Sequence, residues 1–386
     1  MSSRAKRNGV EGSLHFSRDD EDCILLGMKV ALVYDRVNKI GGAERVLTVL
    51  HKIYPDAPLF TLVHNPKTAP WAKVFKVIPT LFNQIPFLKT RHEWLAPFAS
   101  LAFETFDFNQ YDLVISVTSS DAKSIITQPK TLHICYCLTP TRYFWSQPFP
   151  KLLNFLLPYF KKLDLLTSHR PDFYLAISNE VQKRLKDFYN QPSQVIYPPI
   201  DYEFFAKTKR NKSDYYLVVS RLVPYKKIDL VIETLKKLNK KVIIIGDGSL
   251  MEELKSQAAG SQISFLGQVS DNLLRQYYAG AKAVIFPQLE DFGLVPLEAA
   301  ACGVPTIAFK GGGALETVIE EVTGIFFTKQ TVDSLSKAIA RFEKIENSFD
   351  SKKIKQFAQK FDQTLFQKHF SDKVKEICLK YHLPSS

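Results

Sequence analysis

Lys282-Ala-Val-Ile-Phe286-Pro287-Gln288-Leu-Glu290-Asp-Phe292-Gly293-Leu294-Val-Pro296-Leu-Glu298-Ala-Ala-Ala301 contains a strand, a loop and a helix in one stretch. The run from Lys282 to Pro287 is nearly all apolar, and Pro296 to Ala301 reads as a short helix. Glu290 then falls on the strand-to-helix loop and Glu298 in the first helical turn, with seven residues between them. Both belong at the carboxyl edge of a sheet, where open α/β sheets bind ligands. Two acceptor-only side chains there can grip vicinal hydroxyls, while the Phe292, Gly293 and Leu294 amides and the positive helix end attract an anion. A sugar joined to a phosphate has both features. Taken singly, Glu298 is equally an acid favoured by the helix dipole, and Glu290 a solvated loop residue.

The same rhythm extends outward in both directions. Strand-like runs occur at Lys29 to Tyr34, Leu59 to Val63, Asp112 to Val117, Leu132 to Leu138, Phe173 to Ser178 and Gln194 to Tyr197. A cleaner set follows at Tyr215 to Ser220, Lys241 to Ile245, Ile263 to Leu266, Lys282 to Phe286, Thr306 to Phe309 and Gly324 to Phe327. Helical segments such as Ile228 to Leu238 and Leu273 to Ala279 lie between them. Apolar strands separated by amphipathic helices predict parallel sheets covered on both faces, and two such halves predict a pair of doubly wound Rossmann-like domains. The 386 residues exceed the size at which one core stops growing, which agrees. Apolar residues vanish between Lys207 and Asp214, placing the boundary there: an extension at 1–27, an N-terminal domain at 28–205, a C-terminal domain at 206–365 and a last helix at 366–386 that packs back on the first domain. The ligand is expected in the cleft between the two domains.

Composition narrows the function. Apolar content of 45% with 23% charged residues is that of a globular chain, and no run approaches the ~20 apolar residues of a spanning helix. The net charge of +12 favours an anionic partner, but its sign does not choose among nucleic acid, acidic lipid and nucleotide diphosphate. Arg-aromatic platforms, zinc spacing and helix-turn-helix signatures are missing, so nucleic acid is not expected. The five cysteines, Cys23, Cys135, Cys137, Cys302 and Cys378, are odd in number and scattered. Reduced thiols in the cytoplasm are the simplest account. Residues 1 to 27 are polar and charged, with Ile24-Leu-Leu26 as the only apolar stretch, too short for a signal peptide.

Five further stretches carry chemistry. Gly41-Gly42-Ala43-Glu44 follows the first strand and opens a helix from about Arg45, where glycines let a backbone amide approach a phosphate; a tight turn needs the same residues. In Ser220-Arg221-Leu-Val-Pro-Tyr-Lys226, a guanidinium and an ammonium on a strand-edge loop can together neutralise a pyrophosphate, although loop cations are commonly just solvated. Gly246-Asp247-Gly248 and Gly267-Gln268-Val269 follow the next two strands and could admit a base and ribose. Gly311-Gly312-Gly313 precedes Glu316 as another potential anion cradle, or as a flexible loop. A dinucleotide fingerprint would need a compact glycine pattern that the first turn lacks.

Together the Gly-Gly-Ala-Glu turn, the Arg221 to Lys226 spacing, the Glu290 to Glu298 spacing with Phe-Gly-Leu between, and the glycines before Glu316 resemble glycosyltransferase family 4, retaining enzymes of GT-B fold. Tyr136-Cys-Leu-Thr-Pro-Thr-Arg142-Tyr-Phe-Trp145 is similar to a signature of its mannosyltransferase-like branch, which builds cell-surface polysaccharide. The resemblance implies a nucleotide-sugar donor, GDP-sugar before UDP-sugar, and a glycan or polyprenyl-linked acceptor. It assigns Arg221 and Lys226 to the diphosphate, Glu298 to the ribose and Glu290 to the sugar, with Phe292, Gly293, Leu294, Gly246 and Val269 lining the donor and Gly41 and Gly42 approaching its phosphates. It implies no metal and no cofactor.

One departure stands out. The family commonly carries a first-domain His near the sugar, where this chain has Ser116 to Ser120 after one strand and Leu138 after another. His133 is nearby but falls mid-strand, where a satisfied core histidine is expected; Asp121 and Arg142 are the other polar candidates. The alternative to an enzyme is therefore a non-catalytic nucleotide-sugar-binding or scaffold protein on the same fold. The segments Phe87 to Trp94 and Phe144 to Lys162 mix aromatics, leucines and cations, which suits either peripheral contact with anionic lipid at the inner face of the cytoplasmic membrane or a buried aromatic face with wet lysines.

Overall fold

The computed structural model describes residues 27–39, 41–85, 87, 98–145 and 151–381. The polar extension up to residue 26, most of the Phe87 to Trp94 segment, residues 146–150 and the last five residues lie outside the described residues.

The strands in chain order are β1 (Val30–Tyr34), β2 (Leu59–Thr61), β3 (Val77–Pro79), β4 (Leu113–Thr118), β5 (Leu132–Cys137), β6 (Phe173–Ala176) and β7 (Gln194–Val195), then β8 (Tyr216–Val219), β9 (Val242–Ile245), β10 (Ile263–Gly267), β11 (Ala283–Phe286), β12 (Thr306–Phe309) and β13 (Gly324–Phe327). The first seven form one sheet in the order β3-β2-β1-β4-β5-β6-β7, and the other six a second in the order β10-β9-β8-β11-β12-β13. All five pairings of the second sheet are parallel, as are those joining β3 through β5 in the first. Both sheets are doubly wound, and each reverses its strand order at one point, between β1 and β4 and between β8 and β11. Ligands of such sheets bind beyond the carboxyl ends of the strands at that point.

The apolar runs become strands because helices cover both faces. β4 and β11 are buried at every position. In the second sheet Val218, Val242, Ile244, Ile285, Ile307 and Ile325 pack with Ile228, Val231, Leu235, Leu335 and Ile339 from the helices Ile228–Lys237 and Val332–Ile345. Burying each such side chain stabilises by roughly 1.5–3 kcal/mol. Asp229 opens the first of these helices and Lys236 and Lys237 close it, as the helix dipole favours. Thr331 caps the second by accepting from the Ser334 amide. A smaller core in the first sheet joins Val33, Phe60, Phe103, Phe108 and Val114.

The chain divides into two compact units, one of residues 1–175, 185–194 and 367–386, the other of residues 176–184 and 195–366. The units interleave along the chain, whereas composition suggests one cut near residue 205. Within the first unit, Phe370 of the last helix (Gln363–Lys380) meets Tyr136 of β5 edge-on at 5.8 Å. No helix among the described residues is long and apolar enough to cross a membrane.

Candidate active site

The second sheet reverses between β8 and β11, and the loops leaving those two strands carry Lys226 and Glu290. Their side chains form an ion pair, Lys226 Nζ with Glu290 Oε1, with 11% and 16% of each side chain exposed. Lys226 also lies 5.2 Å above the Tyr225 ring, and the Tyr225 hydroxyl meets Arg221 Nη2 at 2.5 Å. Arg221, Tyr225, Lys226 and Glu290 are thus one connected group at the switch point. Arg221 is exposed while Lys226 is buried, so the lysine sits in the lower dielectric and exerts the stronger field.

Glu298 stands deeper, 4% exposed, and its Oε2 accepts from the Tyr278 hydroxyl at 2.8 Å. Sequence periodicity did not single out Tyr278, because a tyrosine on a helix (Asp271–Gly280) 20 residues away carries no local mark of its partner. The helix bearing Glu298 begins at Leu294 rather than Pro296, which moves Glu298 from the first turn to the second. The cause is Gly293, whose φ of +106° is favourable only for glycine and starts the helix early, while Pro296 still falls where no amide donor is needed. Phe292 is buried beside it, stacked on Tyr197 at 5.5 Å.

The glycines hold these loops against one another. A Cβ on Gly246 would overlap the Ser220 carbonyl, and one on Gly248 the Leu222 backbone. The loop after β9 therefore braces the loop carrying Arg221 through Leu222 N–H to the Asp247 carbonyl (2.9 Å) and Leu250 N–H to the Leu222 carbonyl (3.0 Å). A Cβ on Gly312 would strike the Glu290 carbonyl and one on Gly313 the Phe292 backbone, and the Gly313 amide donates to the Glu290 carbonyl at 2.8 Å. Val269 is half-buried just beyond β10. Glu316 is engaged within the second unit, accepting from the Asn179 amide (3.0 Å) and side chain (2.6 Å) and from the Glu180 amide (3.4 Å).

The remaining candidates lie in the first unit. Gly41 caps the helix Gly42–Ile53, whose Glu44 is buried and accepts from the Tyr34 hydroxyl at 2.7 Å. His133 is fully buried on β5 with Nε2 2.8 Å from Ser116 Oγ, a core histidine. At the switch point of this sheet, Asp35 after β1 accepts from the amides of Ser119 (2.7 Å), Asp121 (3.0 Å) and Ala122 (2.9 Å), all just after β4, and from Oγ1 of Thr118 (2.8 Å), the last residue of β4. Asp121 accepts from Ser100 Oγ at 3.0 Å, and burial pushes its carboxyl pKa up against the opposing pull of Lys123 and Ser120. Arg142 is half-buried at the start of a short helix, and Leu138 is half-buried where the resemblance leads one to expect His.

The described part of the Phe144 to Lys162 segment divides between core and surface. Phe144 stacks on buried Phe160 at 5.5 Å, and Trp145 donates to Asp164 at 2.7 Å. Phe155, Tyr159 and Leu166 are at least 60% exposed.

Comparison with known proteins places the second unit. The family described as glycosyl transferases group 1 matches residues 200–361. An uncharacterised glycosyltransferase of Methanocaldococcus jannaschii is 26% identical over 205 residues, 46% of this chain and 53% of that one. A GDP-mannose-dependent alpha-(1-6)-phosphatidylinositol monomannoside mannosyltransferase of Mycobacterium tuberculosis is 33% identical over 139 residues, 32% of this chain and 36% of that one. The matched stretches span about half or less of these relatives. Anabaena HepE, solved in complex with UDP, superposes with a TM-score of 0.68 at 20% identity, covering 90% of this chain and all of that one, and so shares the two-sheet GT-B fold. Residues 200–361 thus match the group 1 glycosyl transferases, the family-4 type that the motifs of this chain resemble.

Proposed function

We propose that this chain is a retaining hexosyltransferase that moves a hexosyl group, mannosyl on the resemblance, from a nucleotide-diphosphate sugar to a glycan or polyprenyl-linked acceptor. The observation that carries this reading is the Lys226–Glu290 pair at the switch point of the second sheet, with Arg221 joined to it through Tyr225. Lys226 and Arg221 neutralise the diphosphate as it leaves, Glu290 holds sugar hydroxyls, and Glu298, braced by Tyr278, accepts from the ribose. The acceptor hydroxyl attacks from the face the diphosphate is leaving, and the departing phosphate takes its proton, so no protein nucleophile is required. GDP-mannose in the name of the mycobacterial relative supports a GDP-sugar, and the UDP bound to HepE keeps UDP-sugars in view.

Thermal denaturation in the presence of GDP, UDP and their sugar conjugates tests the donor. A ligand held only by the folded protein, present at a hundred times its Kd, should raise Tm by roughly 5–10 °C. No shift with any nucleotide sugar would sink the reading. Shifts without transfer to any glycan or lipid-linked acceptor would favour a binding or scaffold protein, and an inverted product anomer would exclude retention.

We further propose peripheral contact with anionic membrane through the exposed Phe155, Tyr159 and Leu166 beside exposed Lys162. Phosphatidylglycerol-containing vesicles should pellet the protein at low salt and release it at about 0.5 M salt, where charges are screened within a few ångströms. Absence of binding, or binding indifferent to salt, would remove the electrostatic version.

A further inference from the structure

The loop that carries Glu290 leaves β11 at Pro287 and has no regular structure until the helix begins at Leu294. Its own backbone therefore does not fix where the Glu290 carboxylate points. The neighbouring residue is held from outside the loop. Asp291 is 7% exposed; its carboxylate receives Arg184 Nη1 at 2.5 Å, and its backbone carbonyl accepts from Ser178 Oγ at 2.5 Å. Arg184 is itself oriented by Glu180, one turn earlier on the helix Asn179–Arg184, through Nε at 3.0 Å and Nη2 at 2.8 Å.

The same short segment is tied to the loop by a second route. Glu316 accepts from Asn179 and Glu180 at the start of this helix, and it lies three residues after Gly313, whose amide donates to the Glu290 carbonyl. The bonds close a ring: Glu290 to Gly313, along the chain to Glu316, across to Asn179, and from Ser178 and Arg184 back to Asp291. All of these residues belong to the second unit, although Ser178 to Arg184 are distant from the rest along the chain.

We infer that the segment Ser178–Arg184 sets the position of the Glu290 loop, with Arg184 as a positioning residue acting through Asp291. This inference rests on the reading of Glu290 and Lys226 as donor-binding and catalytic groups. Arg184 acts from outside the loop: it holds Asp291, and Asp291 fixes the direction in which Glu290 leaves the backbone towards Lys226. Displacement of about 1 Å at such a site is enough to cost on the order of a hundredfold in rate.

Two readouts on Arg184→Met, Arg184→Lys and Ser178→Ala test it, each taken well below the Tm of the variant. Hydrogen exchange is the first, and it needs no substrate. Arg184→Met should speed exchange of the Gly313 amide and of the amides from Glu290 to Gly293 at least tenfold while leaving β11 unchanged, with Arg184→Lys and Ser178→Ala intermediate. Steady-state kinetics is the second: kcat should fall about ten- to a hundredfold, the donor KM should stay within about threefold, and Arg184→Lys should recover part of the loss. Unchanged exchange in the loop, or a fall in activity that only follows the fraction of unfolded protein, would overturn the inference. If the parent protein transfers no sugar, the proposed function fails, and the exchange measurement still decides the positioning role.

Discussion

Replacing Lys226 with methionine should lower kcat by at least about a hundredfold with the fold intact. Methionine keeps most of the apolar stem and removes only the ammonium. That ammonium is preorganised for the proposed role: it sits in a position 9% exposed, against Glu290 and over the Tyr225 ring, and would need little rearrangement as charge develops on a leaving phosphate. Loss of one preorganised group that stabilises developing charge typically costs 10²–10³ in kcat. Arg221→Met should cost less, because the exposed guanidinium acts through a more polar medium. Steady-state turnover with the best nucleotide sugar, accompanied by circular dichroism to verify folding, gives the comparison. Near-normal turnover in the Lys226 variant would remove this lysine from the mechanism.

The second large effect concerns stability and is independent of catalysis. In the first unit Lys123 is 2% exposed, and its ammonium donates to Asp164 Oδ1 at 2.7 Å, the Ser120 carbonyl at 2.5 Å and Thr141 Oγ1 at 3.2 Å. Asp164 also accepts from Thr141, Trp145 and Tyr189, each at 2.7 Å. Burial by itself lowers the Lys123 pKa, but Asp164, Tyr189 and Asp121 more than reverse this, so the ammonium stays charged. Asp164→Ala leaves that charge buried without its carboxylate and should cost about 3–5 kcal/mol. For a unit of this size the loss corresponds to a fall in Tm of roughly 10 °C or more. Replacing both partners with apolar residues, Lys123→Met with Asp164→Leu, should restore only the part of the loss due to the unpaired ammonium, because Thr141, Trp145 and Tyr189 still lose their acceptor. Denaturation of the parent and the two variants monitored by circular dichroism decides; a loss below about 1 kcal/mol for Asp164→Ala would show that the pair contributes little.

The architecture is legible in the sequence where burial is uniform. β11, β12 and β13 lie where apolar runs predict them, because strands covered on both faces are apolar at nearly every position. β3 escapes the pattern: it is three residues long, only half-buried and ends in Pro79, the profile of an edge strand. At the site, the strand-edge positions of Lys226 and Glu290 are readable from spacing and local element type. Their orientation is not, since it depends on Arg184, 107 residues from Asp291, and on the Cβ-free approach of Gly312 and Gly313. Glu316 illustrates the same limit. Its glycine-rich approach suggests an anion cradle, yet its carboxylate is already engaged by the backbone and side chain of a distant segment.

The interleaving of the two units has an evolutionary corollary. A single recombination crossover near residue 205 would bring in a new lobe carrying Glu290 and Asp291 while retaining the resident Ser178 and Arg184. Exchanging the second lobe between relatives by one cut thus mismatches a bracket with the loop it holds. Chimaeras that exchange residues 176–184 together with 195–366 keep the two in their inherited partnership.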